Sequence, residues 1–82
     1  MNDKKSNLEL LAEIEIRRAA VKERIREDFR MAVRSAKRHG VTQRDIARAI
    51  GVHRSAISQR LSGRIQPTVE DIAVVRFLET NA

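Results

Sequence analysis

Eighty-two residues suffice for one domain with a small core. The chain has no cysteine, which excludes disulfides, cysteine-ligated zinc and a thiol nucleophile, and no apolar run approaches the ~20 residues of a membrane span. The formal net charge of +6 is unevenly placed: residues 21–40 carry seven basic against three acidic side chains and residues 41–66 five against one, while residues 1–20 balance four with four and residues 67–82 are net acidic. A positive field centred on residues 21–66 suits a polyanion, although a soluble basic face would look the same.

With only Phe29 and Phe77 as aromatics, most of the core must come from Ile, Leu, Val and Ala, which favours short, closely packed helices. The basic start Met1–Lys5 is followed by no apolar h-region, so no secretory signal is expected, and a cytoplasmic, nucleoid-associated location is. Gly40, Gly51, Gly63 and Pro67 punctuate the sequence and divide it into four helical segments.

The first segment runs from about Leu8 to His39. Ser6 and Glu9 have capping-box spacing before its apolar series, and Gly40 is a natural stop. Unbroken, this helix would be roughly 48 Å long, and a break near Arg17–Val21 is the alternative. Leu11, Ile14, Val21 and Ile25 follow a heptad seam interrupted by Arg18. The stripe then shifts to Phe29, Ala32, Val33 and Ala36. A change of register implies two packing partners. Residues 26–82 are expected to form the folded domain, and residues 1–25 a helical extension that dimerises or binds another protein. A helix folding back on its own domain is the simpler alternative.

The second segment is Gln43 to Ile50, with Thr42 and Asp45 in capping-box spacing and Ile46, Ala47 and Ile50 as its apolar face. The third starts near Arg54 and ends near Leu61 or Ser62, with Ile57 and Leu61 inward. The fourth spans about Val69 to Thr80 behind Pro67, with Thr68 as cap. Val69, Ile72, Val75 and either Phe77 or Leu78 are expected to face the core. The fold class that follows is all-α: about four helices in a compact domain with a long N-terminal helical extension.

The spacing Gln43, Ala47, Gly51, Val52, Ile57, Leu61 has a mechanical logic. Ala47 is small where the third helix crosses, Gly51 permits the turn, Val52 plugs the gap there, and Ile57 anchors the third helix. Arg54, Ser55, Ser58 and Gln59 are left pointing outward on a helix that the DNA major groove is wide enough to admit.

The run Thr42-Gln-Arg-Asp-Ile-Ala-Arg-Ala-Ile-Gly-Val-His-Arg-Ser-Ala-Ile-Ser-Gln-Arg-Leu-Ser-Gly-Arg64 resembles the helix-turn-helix of the Cro/repressor (XRE-type) DNA-binding family, and Pro67-Thr-Val-Glu-Asp-Ile is similar to the start of that family's fourth helix. The resemblance covers about residues 26–80. It implies base contacts from Arg54, Ser55, Ser58 and Gln59, with Arg54 suited to guanine and Gln59 to adenine. It implies phosphate contacts from Gln43, at a helix start, and from Arg44, His53, Arg60 and Arg64. His53 departs from the family's usual Ser or Thr cap. The first 20 to 25 residues have no counterpart there, and neither does this chain match the family's frequent fifth helix. Leu11, Ile14, Val21 and Ile25 are therefore expected to supply the dimer or partner contact in its place.

The resulting expectation is a sequence-specific regulator, of repressor and phage or prophage type, binding a palindromic double-stranded DNA site as a homodimer. The alternatives are an interaction protein, such as an antitoxin or adaptor, that docks a partner through residues 7–25, and an architectural recombination protein. No nucleophile–base pair, phosphate loop or metal set argues for an enzyme, a cofactor or a metal: His39 and His53 lack helical i, i+4 spacing and acidic company.

Overall fold

The computed structural model describes residues 6–82, so the reading of Met1–Lys5 lies outside the described residues. Four helices follow one another: α1 (Asn7–Arg38), α2 (Gln43–Ile50), α3 (Arg54–Ser62) and α4 (Val69–Thr80). There is no strand among the described residues.

Helix α1 is continuous over 32 residues, with no break near Arg17–Val21. It starts where Ser6 Oγ accepts the Glu9 N–H at 3.1 Å. It stops where Val41 N–H turns back to Ala36 O and Gly40 N–H to Lys37 O, both at 3.0 Å. Lys37 and Arg38 in its last turn complement the negative end of the helix dipole. The molecule measures 57 × 22 × 16 Å because α1 is far longer than the bundle it serves.

Only the C-terminal part of α1 packs. Phe29, Ala32, Val33 and Ala36 are buried there, and they join Val41, Ile46, Ala47, Ile57 and Val75 in one core. Ile50, Val52, Leu61, Ile72 and Leu78 cover its edges. Phe29 is fully buried, and replacing such a side chain by alanine costs about 3–5 kcal/mol, a large share of the ~5–15 kcal/mol that holds a domain together.

Each short helix is fixed at its ends. Thr42 and Asp45 cap α2 reciprocally, with Asp45 N–H on Thr42 Oγ1 at 3.0 Å and Thr42 N–H on Asp45 Oδ2 at 2.9 Å. Gly51 closes α2 with φ at 89°, a left-handed conformation in which a side chain would be strained. Thr68 and Asp71 form a second capping box at α4.

Helix α4 corrects one expected core position, Val69, and decides between Phe77 and Leu78 in favour of Leu78. Val69 is 61% and Phe77 66% exposed, so neither fills the core. The inward side instead carries Asp71 and Val75, with Ile72 and Leu78 partly covered. The reason is polar. Asp71 is drawn inward by Thr68 and by Arg60, whose Nε lies 3.1 Å from Asp71 Oδ2, and this sets the rotation of α4. Buried Pro67 fixes the approach to that helix.

Candidate nucleic-acid interface

The turn Gly51–His53 brings the N-terminus of α3 beside that of α2. The cap of α3 is His53, whose Nδ1 accepts the Ser55 N–H at 3.1 Å and lies 3.0 Å from Ser55 Oγ. The imidazole therefore does the work a Ser or Thr hydroxyl does elsewhere, leaving the rest of its exposed ring at the protein surface.

Ile57 is fully buried and anchors α3, while Arg54, Ser55 and Ser58 are exposed and Gln59 is half-buried. Gln43, in the first turn of α2, reaches across. Its Nε2 donates to Ser58 Oγ at 2.7 Å and to Arg54 O at 3.3 Å. Its Oε1 in turn accepts from Lys37 Nζ at 3.2 Å. One amide thus joins the end of α1 and the starts of α2 and α3.

A shallow groove runs along this face. Thr42, Gln43, Arg44, His53, Arg54, Ser55 and Ser58 line one stretch. Ala47, Arg48 and Val52 join Arg44, His53 and Arg54 in the next. Arg44, Arg48, Arg54 and Arg64 are all exposed, and none of them makes a salt bridge among the described residues. Several cations elsewhere are paired: Arg24 with Asp28, Arg26 and Arg30 with Glu23, Arg30 also with Glu27, and Arg76 with Glu79. The acidic Asp45 nearby is occupied by the α2 cap. The Thr42 backbone N–H holds its carboxyl below the usual carboxylate range, helped by the Thr42 hydroxyl and by the charges of Arg48 and Arg44. The protein therefore leaves positive charge uncompensated along one face.

Arg60 departs from the phosphate-contact expectation. Its Nε is bound to Asp71 and its Nη1 donates to Ala56 O at 3.1 Å, so its guanidinium is engaged internally. Conversely, Arg48 and Lys37 lie on the face without having been singled out in the sequence. The excess of basic residues in 21–40 was the available signal for Lys37, and no spacing rule pointed to Arg48. Leu11, Ile14, Val21 and Ile25 lie on α1 away from this face. The first three are exposed and Ile25 is half-buried.

No group of three or more potential metal ligands occurs among the described residues, and no helix there is long and apolar enough to cross a membrane. Residues 35–74, from the last turn of α1 into α4, match a helix-turn-helix family model. No curated protein and no solved structure matches the chain.

Proposed function

We propose that the chain, whose residues 35–74 match a helix-turn-helix family model, belongs to the XRE-type family of DNA-binding regulators and reads a specific double-stranded site by laying α3 in the major groove. Arg54, Ser55, Ser58 and Gln59 meet the base edges. A bidentate Arg54–guanine contact and a Gln59–adenine contact carry most of the discrimination. Gln43, Arg44, His53 and Arg64 contact phosphates, joined by Arg48 and Lys37, and set the register of α3 without specifying sequence. Arg60 has no part in this set because it is bound to Asp71.

The observation that carries the reading is the pairing of a polar, exposed α3 face with flanking arginines that make no salt bridge among the described residues. Such charges release condensed counterions from DNA and give salt-dependent affinity. The short groups on α3 admit close approach to the bases. The finer reading is a repressor of phage or prophage type. It occupies a palindromic operator as a homodimer and acts by occlusion.

Selection of bound sequences from a random duplex pool tests this. The wild-type chain should enrich a palindromic motif containing guanine at the Arg54 positions. Enrichment of no motif, or of the same motif undiminished by Arg54→Ala, would contradict it.

A further inference from the structure

Between Asn7 and Arg24 no side chain of α1 is buried, and Glu13 alone is even half-covered. Gln66 Nε2 reaches this stretch from the rest of the domain, donating to Lys22 O at 3.1 Å. This stretch carries Leu8, Leu10, Leu11, Ile14, Ile16 and Val21, all exposed, with Leu8 at 79% and Val21 at 58%. A helix of that length without tertiary packing is marginal in water, and an apolar stripe at heptad spacing is the seam of a helix pair.

We infer that a second copy of this chain covers the stripe, with the two α1 helices running antiparallel; the inference deepens the homodimer reading above and rests on it. The charge order selects the occupant. Glu9 and Glu15 both precede Arg17, Arg18 and Lys22, and Arg24 is held by Asp28 of its own chain. Glu23 does not break the basic half, because Arg26 and Arg30 of its own chain hold it. Residues 1–20 sum to zero charge, so the segment complements itself better than a partner of either sign. Antiparallel pairing sets each acidic half on a basic half, twice by symmetry. Parallel pairing would stack acid on acid and place Arg18, which interrupts the seam, against its own copy. The two-fold axis of an antiparallel pair crosses the helices and leaves one DNA-binding domain at each end, the symmetry that two inverted half-sites require.

The full chain, free of DNA, should sediment as a dimer at micromolar concentration. The natural absence of cysteine makes orientation directly readable. A mixture of Leu11→Cys and Val21→Cys proteins treated with a short bis-maleimide should give the cross-linked heterodimer, while each variant alone should give little. Glu9→Lys with Glu15→Lys should weaken the dimer about tenfold, an effect reduced by salt. Efficient self-cross-linking of either single variant would mean parallel helices and overturn the proposal. A monomer in sedimentation would also overturn it and leave the stripe to a different protein. Sequence preference on DNA is measured separately, so a monomer that still prefers its site defeats this inference and the homodimer reading but not α3 as the reading helix, and a dimer without preference defeats only the DNA reading.

Discussion

Arg60 Nε donates to Asp71 Oδ2 across 3.1 Å, and the same carboxylate oxygen accepts the Thr68 N–H at 2.9 Å. One buried acid therefore clamps the end of helix α3 to the start of α4. Losing the acid leaves a largely covered guanidinium without its counter-charge and removes the reciprocal half of the α4 capping box. Losing the arginine leaves the acid the Thr68 backbone N–H as donor. Asp71→Ala should cost about 3 kcal/mol or more, and Arg60→Met about 1 kcal/mol. Equilibrium urea unfolding checks the order, and equal losses would show that the clamp is not asymmetric.

Arg60 and Arg64 lie four residues apart yet should behave differently on DNA. Arg64→Ala should weaken binding to all duplexes alike and lower the slope of log affinity against log salt by about 1. Arg60→Met should leave that slope unchanged. Titrations at several salt concentrations distinguish them, and a slope change with Arg60→Met would return Arg60 to the phosphate contacts.

His53 caps α3 through a ring nitrogen rather than a hydroxyl. His53→Ala should destabilise the domain by about 1 kcal/mol, while His53→Asn should retain most of the stability. Thermal melts of the two variants are the check. Identical melts would mean that the imidazole contributes nothing as a cap.

Two carboxylates make the fold acid-sensitive. The Ser35 hydroxyl donates to Glu79, and with His39 and Arg76 it holds that carboxyl below its usual range. Asp45 is lowered by Thr42. A carboxylate with a depressed folded-state pKa stabilises the fold above its unfolded value, near pH 4, and that contribution disappears as pH falls through the depressed value. Stability should therefore be flat from pH 7 to 5 and fall toward pH 3. The fall should be shallower in Asp45→Asn and Glu79→Gln, because neither side chain retains a carboxylate to titrate. Melting temperatures that fall as steeply in both variants would place the acid sensitivity elsewhere.

The helix boundaries were legible because local chemistry sets them: Thr42 with Asp45, and Gly51 in a turn that needs a positive φ. The rotation of α4 was not legible. Its apolar residues fit more than one inward face, and the choice is made by Asp71 through contacts with Thr68 and with Arg60, eleven residues away. The same contact engages Arg60, expected at phosphates from the sequence alone. Apolar periodicity is blind to a polar residue that is buried because it is paired. The exposed positions of Arg54, Ser55 and Ser58 followed from Ile57 alone, because one buried anchor fixes the phase of a nine-residue helix. Gln43 was legible as a helix-start residue. Its reach to Ser58 and Lys37 was not, because three helices have to meet before that contact exists.

The most direct test of α3 as the reading element is fluorescence anisotropy of the wild-type chain and Arg54→Ala, near physiological salt, on the selected duplex and on a scrambled duplex of equal length. Wild type should prefer the selected duplex by about 10³-fold or more. Arg54→Ala should lose about 1–3 kcal/mol on that duplex and almost nothing on the scrambled one. Equal wild-type affinity for both duplexes, or equal losses on both for Arg54→Ala, would contradict the account.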